Sequence, residues 1–206
     1  LNNPNIEHLF PFPVYQSKLH RNIIQREKDA VLNLYGSARN NQGNLTSKDN
    51  YVLEFEDFKD LKQDIMIYVD DYLKKIISPK EDVSLYITQS WLNYTGENEF
   101  HHKHEHSNSI VSGVFYFDAD IDLDKIVFFH NRYNQIFIQP DQWNIYNSPS
   151  WWFPVETGDI ILFPSSLTHM VETKQGDNTR TSLAFNTFVK GTLGSNMELT
   201  ELKLKG

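Results

Sequence analysis

From Asp57 to Ile77, apolar residues recur at Phe58, Leu61, Ile65, Met66, Ile67, Val69, Tyr72, Leu73 and Ile76 with charges between them. That spacing is helical and predicts an amphipathic helix, which Pro79 ends. An earlier stretch, 21–35, sets Ile23, Ile24, Ala30, Val31, Leu32 and Leu34 among charged residues and predicts a first helix. Before it, residues 8–19 carry Pro11 and Pro13 and read as an extended lead-in. Residues 36–50, rich in Gly, Asn and Ser, read as a loop.

Beyond Pro79 the pattern changes. Val83–Tyr94 is rich in β-branched and aromatic residues and closes on Thr95-Gly96, which predicts a strand. Further strands are predicted over Ser109–Asp118, Lys125–His130, Asn134–Ile138, Ile160–Phe163 and Arg180–Val189. Strands separated by turns from 83 to 190, with helices in front, predict a mainly β sandwich or barrel. The tail 191–206 either frames the sheet or frays.

At 206 residues, with 39% apolar and 14% aromatic residues, the chain is expected to form one domain, 1–206. Within it, 1–80 would be helical support and 83–190 the β core. A net charge of −8 makes nucleic acid and anionic membranes unlikely partners. No apolar run approaches a membrane span. Leu1-Asn2-Asn3-Pro4 lacks the basic start and apolar core of a signal peptide. The absence of cysteine excludes disulfides, zinc thiolates and a thiol nucleophile, and fits a cytoplasmic setting.

The chemistry concentrates in Phe100-His101-His102-Lys103-His104-Glu105-His106, which holds four of the eight histidines. His102, His104 and His106 alternate, so a strand would turn all three to one face. Imidazole is the commonest metal-binding side chain, and His169, after Phe163-Pro164-Ser165-Ser166-Leu167-Thr168, is the best candidate for a distant third ligand. Parity alone does not choose between His102/His104 and His104/His106. Arg180 and Ser182 also share a parity, so a strand would present a guanidinium and a hydroxyl together to a carboxylate.

In this order these elements resemble the 2-oxoglutarate/Fe(II)-dependent oxygenases, and more closely a family of such oxygenases from marine bacteria and phages. The resemblance runs through Leu9–Tyr15, Ser90–Tyr94, His104–Ser109, Ser112–Phe117, Gly158–Ser165, His169 and Arg180–Asn186. It implies a double-stranded β-helix, the cupin-like jelly roll, in the cytoplasm of a bacterium or a phage-infected host. It implies His104, His106 and His169 as ligands of Fe(II), with His102 as the alternative ligand. It further implies Arg180 and Ser182 on the distal carboxylate of 2-oxoglutarate, and Asn93 and Tyr116 as further cosubstrate contacts. The wider superfamily pairs two histidines with a carboxylate. Here a histidine stands at the carboxylate position, and Glu105 points inward only if the chain is distorted at 104–106.

Two other readings follow from the same residues: a cupin-like three-histidine metalloenzyme that does not use 2-oxoglutarate, and a non-catalytic jelly-roll metal-binding protein. The substrate and the oligomeric state are not legible. The aromatic segment Gln142–Phe153, expected between strands, packs as core or lid or lines a pocket mouth, and His130 and Arg132 lie near it in sequence.

Overall fold

The computed structural model describes residues 4–80, 82–130, 136 and 138–204. The lead-in enters the fold as β1 (Tyr15–Lys18), followed by α1 (Gln25–Tyr35), β2 (Arg39–Asn40), β3 (Leu45–Thr46) and α2 (Lys59–Tyr72). A π-helical turn, Leu73–Ile77, continues α2 and ends in left-handed Ser78. The core strands are β4 (Ser84–Thr95), β5 (His101–His104), β6 (Val111–Asp118), β7 (Lys125–Phe129), β8 (Ser150–Pro154), β9 (Asp159–Pro164), β10 (His169–Val171) and β11 (Arg180–Leu193), and β12 (Leu202–Leu204) follows.

The larger sheet runs β1-β9-β6-β11-β4-β3-β2, with β12 on the far end of β11, and the smaller runs β5-β10-β7-β8. Every pairing between these strands is antiparallel. Consecutive strands alternate between the two sheets from β4 to β11, apart from the late hairpin of β7 and β8, which gives the expected jelly roll.

Strand β9 shows why its sequence is apolar without alternation. Ile160 and Leu162 join one core, between the larger sheet and the helices, with Leu61, Ile65, Val69 and Tyr72 of α2. Ile161 and Phe163 face the other core, between the sheets, with Tyr116, Ile126 and Phe128. A strand buried on both faces needs apolar residues at both parities.

Helix α1 starts at Gln25, four residues later than the spacing predicts, because residues 21–24 do other work. Arg21 forms a two-pronged pair with fully buried Glu27 and a 2.7 Å bond from Nε to Asp64 of α2. Glu27 also accepts the backbone N–H of Ile24 at 3.1 Å, satisfying a donor that the helix start leaves open.

Other boundaries also differ from the sequence expectation. The predicted loop 36–50 contains the short strands β2 and β3, which extend the larger sheet beyond β4. The aromatic segment does not simply lie between strands: its last residues form β8, whose Trp152 lies opposite Val127 and Phe153 opposite Ile126. The predicted strand Asn134–Ile138 and Arg132 lie outside the described residues, except Ile136 and Ile138, which are exposed.

Candidate metal centre

His104 ends β5 and lies directly opposite His169, the first residue of β10. His106 comes two residues after β5 has ended. Its backbone N–H donates to the carbonyl of Ser165 at 3.0 Å, which fixes it beside the loop leading to His169. Strand parity therefore does not assemble the cluster: a register partner and a tethered loop residue do. The ligand atoms of His104, His106 and His169 lie within 4.8 Å of one another. His106 Nε2 and His169 Nε2 are 3.3 Å apart.

Backbone carbonyls set the tautomers of two of these rings. Nδ1 of His104 donates to the carbonyl of His102 at 2.7 Å, and Nδ1 of His169 to that of Leu167 at 3.0 Å. With its proton on Nδ1, a neutral imidazole has a bare Nε2, the form a metal requires. Burial pushes His106 down to about 4 and His169 to about 3, with the neighbouring imidazoles adding to it. Burial, then the same neighbours and then Arg180, lower His101 to about 2. The rings are thus neutral near pH 7 and need not lose a proton to bind an ion.

Glu105 does not join the cluster. Its side chain is exposed and its Oε1 accepts the hydroxyl of Thr168. The alternative ligand His102 falls in a second group with His101 and His104, whose ligand atoms also lie within 4.8 Å of one another.

The opposite wall is the larger sheet. Register places Asn93, Ser182 and Tyr116 in one row across β4, β11 and β6, because Ser182 lies opposite both of the others. All three are buried, and Oδ1 of Asn93 has no hydrogen-bond partner. An unpaired buried amide oxygen in an inward-facing polar row fits a cradle for a polar ligand. One step along β11, Arg180 is also buried, and its Nη1 lies 3.4 Å from Oδ1 of Asp124. Burial lowers the Arg180 pKa, against the pull of Tyr116 and Asp124.

Sequence reasoning missed a second cation here. Lys174, fully buried, places Nζ 3.5 Å from the same Asp124 oxygen and donates to the Gln175 carbonyl and to Asn178 Oδ1. Two buried cations share one carboxylate, so the cluster keeps a net positive charge that favours an anion. Its local sequence, Glu-Thr-Lys-Gln-Gly, reads as an exposed turn and carries no signal of this. Arg180, Lys174 and Val171 line a cavity of about 220 Å³.

Two further features frame the centre. A buried hydroxyl chain joins Ser109, Ser165, Ser112 and Asn186 at 2.7–2.8 Å and ties the exit of β9 to the start of β6. On the smaller sheet, His104, His169, Phe128 and Trp151 form one row across four strands. Phe128 and Trp151 then line an apolar groove of about 510 Å³ with Phe10, Phe12 and Phe153. The aromatic segment thus contributes to a groove wall, and His130 lines the same groove.

Residues 89–186, which run from within β4 into β11, match the model of a family described as "Putative 2OG-Fe(II) oxygenase". Solved structures share the fold at low identity. HygX from Streptomyces hygroscopicus, with nickel, 2-oxoglutarate and hygromycin B bound, is 10% identical at a TM-score of 0.55, over 85% of this chain and 82% of its own. The α-ketoglutarate-dependent epimerase SnoN from nogalamycin biosynthesis is 11% identical at 0.59, over 86% and 78%. AviO1 from Streptomyces viridochromogenes is 14% identical at 0.54, over 85% and 89%. No curated protein sequence matches the chain.

Proposed function

We propose that this protein is an Fe(II)- and 2-oxoglutarate-dependent oxygenase whose metal is held by His104, His106 and His169. The observation that carries the reading is the pair of opposed walls. Bare Nε2 atoms converge on one sheet, and a buried guanidinium faces the same interior from the other. Neutral imidazoles suit Fe(II) and leave coordination positions open. With a 2-oxo acid and oxygen, such a centre supplies oxidative decarboxylation coupled to oxidation of an organic substrate, with hydroxylation as the proposed outcome.

The side chains of this chain bind and orient. Arg180 takes the distal carboxylate in a charge-assisted pair, Ser182 adds a hydroxyl, and Asn93 and Tyr116 stand on either side of Ser182. Asp124 holds the guanidinium through Nη1, and Lys174 shares the same carboxylate oxygen. The interior is lined by Phe128 and Phe163, whose ring centroids lie 6.2 and 4.6 Å from that of His169. No described helix is long and apolar enough to cross a membrane, and we place the activity in the cytoplasm.

The test is anaerobic loading with Fe(II) and 2-oxoglutarate followed by oxygen. Slow release of succinate without added substrate is expected. Absence of cosubstrate binding by calorimetry on metal-loaded protein overturns the reading.

The outward position of Glu105 favours a second reading, a three-histidine metalloenzyme of cupin type that uses no 2-oxoglutarate. Arg180→Ala separates the two: it cripples the first and barely affects the second.

A further inference from the structure

Five imidazoles pack together at the end of the roll, and the proposed centre uses three of them. His101 is the one whose placement points elsewhere. Its ring stacks on that of His104, with centroids 4.8 Å apart and planes inclined by 18°. Its cross-strand partner is Val171. Val171 lines the cavity that also holds Arg180 and Lys174. His101 therefore stands between the metal centre and the cationic end of the interior, along the lane that a ligand held at both ends would occupy.

Resting on the function proposed above, we infer that His101 walls this lane and donates an imidazole N–H to the metal-proximal end of a bound 2-oxo acid. Stacked on the His104 ring, His101 would lie beside an ion held by His104 and could meet a polar group of an acid bound there. Arg180 reads the distal carboxylate, while His101 reads the group common to every 2-oxo acid. A hydrogen bond to a charged acceptor is among the stronger ones, so its loss is measurable in binding alone.

The experiment uses protein loaded anaerobically with Ni(II), titrated by calorimetry with 2-oxoglutarate and with 2-oxobutyrate, which lacks the distal carboxylate. His101→Ala is expected to weaken both acids by a similar factor, about tenfold or more, with Ni(II) uptake unchanged. His101→Gln, which keeps an N–H donor, is expected to recover part of the loss. Unchanged affinity for both acids in His101→Ala overturns the inference. So does loss of Ni(II) in that variant, which would make His101 a ligand in the second group with His102. Wild-type protein that takes up Ni(II) but binds no 2-oxoglutarate overturns the proposed function itself, and is distinguishable because it needs no variant.

Discussion

Nε2 of His106 lies 3.3 Å from Nε2 of His169, although 62 residues separate them in the chain. Two nitrogens each about 2.1 Å from one ion are held about this far apart. The pair has the spacing that a shared metal requires, and the ligand atom of His104 lies within 4.8 Å of both. Removing His169 should lower divalent-metal affinity by more than the ~10–100-fold typical of outer-shell changes. His102→Ala should leave it unchanged, because His104 bonds the His102 carbonyl and not its ring. Metal content after dialysis, measured on both variants, distinguishes this triad from one built on His102.

Arg180→Ala should weaken 2-oxoglutarate binding by about 10–100-fold, the loss of a charge-assisted pair, with metal uptake intact. The fold should survive because Lys174 still neutralises Asp124. Lys174→Ala leaves Arg180 paired with Asp124 more tightly, so a smaller loss of cosubstrate affinity is expected. Calorimetry on the metal-loaded variants tests both.

The metal-free protein should lose stability as pH falls below about 6.5. His106 and His169 have folded-state pKa values below their ordinary value of 6.5. Unfolded chains therefore bind protons in the window from 6.5 down to about 4 that the folded state does not, and the equilibrium shifts toward unfolding. Urea midpoints at pH 7.5 and pH 5.5 check the sign. A higher midpoint at the lower pH would contradict it.

Glu27→Ala should destabilise the fold by about 1.5–3 kcal/mol, since it removes the two-pronged charge-assisted bond to part-buried Arg21 and leaves that guanidinium with Asp64 alone. The same change frees the Ile24 N–H at the start of α1. Chemical denaturation measures it, and a shift under about 1 kcal/mol would mean that Asp64 alone suffices to hold Arg21.

Gly113→Ala should cost about 1–3 kcal/mol through overpacking. A Cβ built there meets the Phe185 ring at 2.1 Å and a Leu162 methyl at 2.7 Å, both in the core beneath the helices. Thermal unfolding should register the loss while cosubstrate affinity, set on the opposite face of the sheet, changes little.

The helical period at 57–77 and the β-branched and aromatic runs of β4, β6, β9 and β11 carry most of the fold, because those segments bury apolar side chains on one face or on both. The short strands β2, β3 and β12 have two or three residues each, too few to show any period. At the centre, residue types were legible and geometry was not. His106 is placed by a backbone bond to Ser165, and Lys174 is buried by contacts with residues distant in sequence. Neither leaves a local mark. The parity of Arg180 with Ser182 was legible because β11 keeps its register against β4 between them, even though its pairing with β6 shifts between Thr181 and Ser182, whereas the parity of His104 with His106 fails where β5 ends.

His104 and His169 belong to one sheet and Arg180 to the other. The gap between packed sheets, about 10 Å, is therefore a caliper for any acid gripped at both ends. Its setting is fixed by the rings wedged between the walls, Phe128 and Phe163 above all. Trimming those rings would reset the distance between the two grips of the proposed site.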